Sequence, residues 1–239
     1  MSKTVFITGG SQGIGACAVK KFATLGYNVA FTYFKSKENA KKIEKDTGAC
    51  GIYCDISKST DVNNAIKIAT EKYGKIDILI NNAGISEFAL FTDITDEMWH
   101  RMIDTNLSSA FYTSRAVLPQ MISRKNGVII NVSSMWGQVG ASCEVHYSAS
   151  KAGMIGLTKA LAKEVGPSGI RVNCVCPGTI DTEMNAHLSS EDKEALINDT
   201  PLGKIGKCDD VVNALIFLCD DKSSFITGQV FGVNGGYII

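Results

Sequence analysis

Short apolar runs alternate along the chain with longer stretches in which apolar residues recur every three or four positions. The runs Thr4–Thr8, Asn28–Tyr33, Gly51–Cys54, Ile76–Ile80, Val128–Val132, Arg171–Val175 and Val230–Val233 are continuous rather than strictly alternating. Strands of that kind are covered on both faces, as in a parallel sheet. Between them Ile14–Leu25, Thr60–Tyr73, Glu97–Ser123 and Tyr147–Val165 carry the helical period. Gly26, Gly74, Gly127, Gly166-Pro167 and Pro177-Gly178 punctuate the joins, as helix ends and turns require. The alternation predicts an α/β fold in one doubly wound domain spanning residues 1–239. It has a seven-stranded parallel sheet with helices on both faces. The polar stretch 183–200, capped by Ser189-Ser190-Glu191, reads as a mobile substrate lid.

Composition narrows the setting. A chain of 239 residues with 45% hydrophobic content can bury one substantial core. Lys plus Arg equals Asp plus Glu at 24 each, with no long run of one sign. That argues against a nucleic-acid surface or a polybasic membrane patch. No window approaches the roughly 18 apolar residues of a membrane span. The start MSKTVFITGG lacks the basic-then-apolar pattern of a secretion signal, so a cytoplasmic protein is expected. Eight cysteines occur without Cys-x-x-Cys spacing or a matching His pair; they read as reduced thiols, and no metal is expected.

Candidate chemistry begins at Tyr147 and Lys151. Four residues is about one helical turn, so the phenol and the ammonium share a face. A nearby cation lowers a phenol's pKa, and such a tyrosine can pass a proton to a ketone being reduced. The first strand runs into Thr8-Gly9-Gly10-Ser11-Gln12-Gly13-Ile14-Gly15. Glycines 9, 13 and 15 let the backbone turn sharply and let a pyrophosphate reach a helix N-terminus. Their spacing is G-x-x-x-G-x-G rather than the common G-x-G-x-x-G. At the end of the second strand Tyr33, Lys35 and Ser36 precede any carboxylate, the first being Glu38. That favours NADP(H) over NAD(H), because an acidic residue there would repel a 2′-phosphate. Asp55-Ile56, Asn82-Ala83-Gly84 and Ser133-Ser134 end the next three strands, at the edge where open α/β sheets bind ligands. Asn106 is a poor helix former inside a helical stretch, which predicts a buried carbonyl or a water as its partner.

Taken in order, TGGSQGIG, CDI, NNAG, Asn106, NVSSMWG, YSASK and PGTIDT resemble the motifs of the short-chain dehydrogenase/reductases, Rossmann-fold enzymes, over the whole chain. The resemblance implies a tetrad of Asn106, Ser134, Tyr147 and Lys151. It also implies a cofactor site in which Gly9, Ser11, Gln12, Gly13, Ile14 and Gly15 cradle the pyrophosphate. Asp55, Ile56, Asn82, Ala83 and Gly84 then meet the adenosine half, and Pro177, Gly178, Ile180 and Thr182 border the nicotinamide, with Tyr147 and Lys151 beside its ribose. The segment from Pro201 to Gly236 resembles bacterial 3-oxoacyl-(acyl carrier protein) reductases, which implies fatty-acid-type reduction of a 3-oxoacyl thioester or ester. Arg124-Lys125 matches one basic site for an acyl carrier protein, while Ser168 stands where a second basic residue is usual. The run Ser134–Val145 resembles the reductase of 5-aminopentanone on bacterial elongation factor P; there Trp136 would wall the pocket and Glu144 would pair with the substrate ammonium. A general carbonyl reductase is a further alternative. A non-catalytic dinucleotide sensor fits less well, since all four tetrad residues are present. The resemblance also implies a homotetramer built on the Glu97–Ser123 and Tyr147–Val165 helices, with the tail Gly235–Ile239 in a buried contact.

Overall fold

The computed structural model describes residues 2–186 and 188–239. Met1, at the start of the expected domain, and His187, within the expected lid, lie outside the described residues. The first half runs β1 (Thr4–Ile7), α1 (Gly13–Thr24), β2 (Asn28–Tyr33), α2 (Lys37–Thr47), β3 (Cys50–Tyr53), α3 (Ser59–Tyr73) and β4 (Ile78–Asn81). There follow α4 (Asp96–Ile103), α5 (Ser109–Arg124), β5 (Gly127–Val132), α6 (Trp136–Val139) and α7 (Val145–Val165). The chain ends with β6 (Ile170–Pro177), α8 (Ser190–Asp199), α9 (Cys208–Cys219) and β7 (Val230–Val233).

The seven strands form one sheet in the order β3-β2-β1-β4-β5-β6-β7. Every pairing is parallel. Continuous hydrophobicity in the strands has the cause expected of it: alternate side chains enter two different cores. Val5 and Ile7 of β1 join a cluster with residues of α1, α2 and α9, whereas Phe6 points into the cluster of α3, α5 and α7. Phe6, Phe22 and Phe31 are fully buried, each worth roughly 1.5–3 kcal/mol of apolar transfer. From β1 the chain winds outward through β2 and β3, then returns to place β4 on the other side of β1. That reversal opens a crevice at the carboxyl ends of β1 and β4, where the Rossmann arrangement takes its ligand.

Among the differences from the sequence reading, two have a clear local cause. The expected fourth strand begins at Ile78 rather than Ile76, because Ile76 spends its N–H on the Gln120 side chain (3.0 Å) and its carbonyl on Arg124 (2.8 Å). The long Glu97–Ser123 helix is interrupted: α4 passes into a π-helical turn at Asp104–Ser108 before α5 begins. Such turns absorb an extra residue where a side chain must be aimed, and Asn106 sits within this one. The expected lid is led by α8, which Ser189 and Asp192 close with a reciprocal capping box. All eight cysteines are free thiols. Among the described residues no cluster of three or more His, Cys, Asp or Glu side chains is placed to hold a metal, and no helix is long and apolar enough to cross a membrane.

Candidate active site

At the carboxyl end of β1 the backbone turns into α1 through Gly9 and Gly13, with φ of +67° and +54°. This left-handed region favours glycine. The turn is also crowded. A Cβ on Gly9 would come within 2.9 Å of the Ala83 Cα, and one on Gly15 within 2.1 Å of the Gly9 carbonyl oxygen. Thr8 clamps the arrangement, its hydroxyl accepting from the Asn82 and Ala83 N–H groups at 2.9 Å each. Asn82, expected beside the adenosine, instead donates its side-chain amide to the Thr8 and Gly9 carbonyls at 3.0 and 3.2 Å. Its amide is committed to holding the glycine turn in shape. The turn leads into the N-terminus of α1, whose first N–H groups have no helical acceptor and which favours anions. Thr182 closes over it, its methyl carbon 3.5 Å from where a Gly13 Cβ would stand.

Beyond β2, Ser36 donates to the Gln12 side chain at 2.8 Å, which ties this segment to the glycine turn. Lys35 is exposed beside it, and Glu38 is paired with Lys41 at 3.1 Å. The first carboxylate after β2 thus faces Lys41 across an exposed ion pair. Tyr33 packs edge-on against Tyr53, ring centroids 6.0 Å apart, and Ile56 is buried. Asp55 accepts from the Ser57 hydroxyl at 2.6 Å and pairs with Lys58 at 3.2 Å. Partial burial alone would raise its pKa, but the hydrogen bonds from Ser57 and Lys58 outweigh it and hold the carboxyl below its ordinary value.

α7 carries Tyr147 and Lys151 into the interior, 7% and 4% exposed. Ser134, just past β5, is equally buried; it accepts from the Trp136 N–H at 3.1 Å and is a hydrogen-bonding neighbour of the Tyr147 phenol. The Lys151 ammonium donates to the Val132 carbonyl at 2.9 Å and lies 5.7 Å from the centre of the Tyr147 ring. Ser133, the other hydroxyl at this strand end, donates to the Lys151 carbonyl at 2.8 Å and so holds the helix rather than the reacting centre. Asn106 has the buried carbonyl partner expected of it. Its amide nitrogen donates to Ile85 O (2.9 Å) and Ser150 Oγ (3.1 Å), and its oxygen accepts from Ile85 N–H (2.8 Å). A Cβ on Gly84 would stand 3.3 Å from Asn106 Oδ1 and 3.4 Å from Lys151 Nζ, so both look onto the same glycine.

The loop after β6 completes the crevice. The Pro177 carbonyl accepts from Met135 N–H (2.9 Å), Gly178 N–H reaches the Val233 carbonyl (3.0 Å), and buried Ile180 bridges to Gly206. Glu144 precedes α7 and accepts from the Ser86 hydroxyl at 2.5 Å. Ser86 lies two residues beyond the NNAG motif and carries no signal of its own in the sequence. Arg124, matched by resemblance to a carrier-docking site, is committed elsewhere: its guanidinium holds the Ile76 carbonyl and the Gln120 side chain. Lys125 beside it is exposed, and Ser168 lies in a 3-10 turn after α7.

A family model described as enoyl-(acyl carrier protein) reductase matches residues 9–238. The 3-oxoacyl-(acyl-carrier-protein) reductase of Staphylococcus aureus is 40% identical over 241 aligned positions, covering 99% of this chain and 98% of that protein. Its counterparts in Staphylococcus epidermidis (39% identical, 99% of each chain) and Chlamydia trachomatis (40%, 99% and 97%) are similar over the same span. The chain belongs to the short-chain dehydrogenase/reductase family.

In this short-chain dehydrogenase/reductase the electrostatics of the pair depart from the sequence expectation. Burial pushes the Tyr147 phenol up to about 12, and the Ser134 hydroxyl offsets only part of that rise. Burial pulls Lys151 down to about 8, the sulfurs of Cys174 and Cys176 acting weakly in the other sense. The net shift of Tyr147 is therefore upward, opposite to the direction its spacing from Lys151 predicts. Loss of hydration dominates both groups, and the ammonium spends a hydrogen bond on Val132 instead. At neutral pH the result is a protonated phenol backed by a cation that gives up its proton readily.

Proposed function

We propose that the protein is an NADP(H)-dependent ketoreductase that converts a 3-oxoacyl thioester to the 3-hydroxyacyl product. The convergence of the Ser134 and Tyr147 hydroxyls, with Lys151 buried behind them, carries this reading. When bound, NADPH supplies a hydride to the carbonyl carbon. Ser134, with its oxygen already accepting from the Trp136 N–H, directs its own proton to the carbonyl oxygen and steadies the charge growing there. Tyr147 gives its proton to that oxygen, because a nascent alkoxide is far more basic than a phenolate. Lys151 then restores the phenol's proton. Asn106 serves by position: its amide is fully used on Ile85 and Ser150, fixing α7 against the Gly84 backbone beside the lysine.

A nucleotide fits the crevice, since the glycine turn ends in the free N–H groups of α1, whose first turn carries no acidic side chain to repel a pyrophosphate. Gly9, Ser11, Gln12, Gly13, Ile14 and Gly15 would hold the pyrophosphate. Lys35 and Ser36 would take the 2′-phosphate, a choice supported by the Glu38–Lys41 pairing. Lys35→Glu is expected to invert the preference, lowering kcat/KM for NADPH by about tenfold or more while sparing NADH. An unchanged NADPH:NADH ratio would show that Lys35 does not read the phosphate.

The family description names an enoyl reductase and the relatives a 3-oxoacyl reductase. Buried Ser134 and Tyr147 hydroxyls side by side suit a carbonyl that gains its proton on oxygen. Turnover of a 3-oxoacyl thioester without turnover of the matching 2-enoyl thioester is expected, and the reverse would overturn the reading. An acyl carrier protein would bring the substrate, with Lys125 as the available docking cation. The residues 183–200 act as the lid, supported by an α8 that buries none of its side chains. A cytoplasmic homotetramer fits the free thiols and the exposed Phe88, Trp99 and Phe111 around α4 and α5.

One observation favours a second substrate. The Glu144 carboxylate does not cap α7; Ser86 holds it, and its charge is felt at Tyr147. A keto substrate ending in an ammonium, such as the aminopentanone on elongation factor P, would meet that charge. Glu144→Gln should then lower kcat/KM for an amino-ketone by about tenfold and leave a plain 3-oxo thioester unaffected. Equal effects on both would remove this reading.

A further inference from the structure

Within the C-terminal tail, Tyr237 turns back onto this chain's own site. Its ring meets Trp136 edge to face, centroids 5.6 Å apart at 89°. Trp136 is the residue whose N–H holds the Ser134 hydroxyl. It sits at the start of a four-residue helix, and the Tyr237 ring packs on its indole.

The tail is built to deliver that ring. Gly235 and Gly236 adopt φ of +67° and +87°, where a side chain would be strained. Each also packs closely. A Cβ on Gly235 would come within 2.6 Å of the Thr200 methyl, and one on Gly236 within 3.1 Å of the Pro201 ring. Leu202 N–H donates to the Gly235 carbonyl at 3.1 Å. Asn234 anchors the turn, donating to Ile238 O and accepting from Gly236 N–H, and its Cα would stand 2.8 Å from a Cβ on Gly178. The end of the lid segment, the loop after β6 and the tail thus meet at one turn, which aims Tyr237 at Trp136.

We infer that Tyr237 is a specificity-determining residue: with Trp136 it forms an aromatic wall beside Ser134 that limits the size of the group attached to the reacting carbonyl. This rests on the ketoreductase reading above. Both rings are half-buried, so one edge of the pair remains open to a ligand. A wall of two large rings admits a short chain and turns away a long one, as a methylene misfitted in an apolar pocket changes kcat/KM by about 10–200-fold.

The test compares four-carbon and eight-carbon 3-oxoacyl-CoA thioesters, together with methyl ketones of matching length, in the wild type, Tyr237→Ala and Tyr237→Phe. The wild type should prefer the short member of each series. Tyr237→Ala should raise the long-to-short ratio of kcat/KM by about tenfold, with kcat on the short substrate retained, and Tyr237→Phe should restore the wild-type ratio. An unchanged ratio in Tyr237→Ala, or equal loss on both lengths, would overturn the inference. Turnover of ketones without turnover of any thioester would sink the thioester reading alone, and the ketone series would still decide the role of Tyr237.

Discussion

Tyr147→Phe will abolish ketone reduction while leaving the fold and NADPH binding in place, with kcat lower by about a hundredfold to ten-thousandfold. The substitution removes one oxygen from a buried ring, so packing is retained. What disappears is the donor that converts a developing alkoxide to an alcohol. Because the phenol's pKa is pushed up to about 12, it is protonated throughout the neutral range and the wild-type reduction should not weaken at low pH for want of this proton. Loss should instead set in above about pH 8, as Lys151 deprotonates and can no longer resupply the phenol. The check is a pH profile of kcat beside equilibrium NADPH binding. If Tyr147→Phe keeps substantial activity, the proton comes from elsewhere and the assignment fails.

Lys151→Met separates catalysis from stability. Activity should be lost, yet the protein should become more stable at neutral pH by on the order of 1–3 kcal/mol. Folding carries an ammonium out of water to a site with a backbone carbonyl and no carboxylate as partner, and methionine fills similar space without a charge. The sign follows from linkage. The folded-state pKa of about 8 lies below the ordinary value of 10.5, so between those values the unfolded chain binds more protons and wild-type stability rises with pH. Below about pH 8 both states are protonated and the full penalty applies. Lys151→Met should flatten that rise. Tyr147 works in the opposite sense at higher pH, its raised pKa withdrawing stability as the pH climbs from 10 towards 12. Denaturant unfolding across pH measures both. A Lys151→Met protein less stable than wild type at neutral pH would mean that the Val132 hydrogen bond outweighs the desolvation of the charge.

How much of this was legible in the sequence depended on the distance over which each feature is determined. The Tyr147–Lys151 pair and the glycine turn are local, set by a helical repeat and by residues that lack a Cβ, and both emerge as their spacing implies. Continuous apolar runs announced a sheet buried on both faces, and Phe6 alternating with Val5 and Ile7 into separate cores shows why. The role of Asn82 was not legible, because its partners Thr8 and Gly9 lie 74 and 73 residues away. The π turn at Asn106 answers to Ile85, 21 residues distant, and helical periodicity across Glu97–Ser123 cannot register it. Resemblance pointed to Arg124 as a docking cation, but folding commits it to Ile76. The raised phenol pKa belongs to the same class. Spacing reveals that a cation is one turn away, whereas burial, which decides the sign here, exists only once the chain is folded.

Hydride addition at carbon and proton donation from Tyr147 at oxygen can be followed together, by transfer of deuteride from deuterated NADPH to acetoacetyl-CoA in the wild type and in Tyr147→Phe. The wild type should place one deuterium at the third carbon of 3-hydroxybutyryl-CoA for each NADPH consumed, and the variant should give neither signal above background. NADPH binding without deuterium transfer in the wild type, or equal transfer in both proteins, would contradict that mechanism.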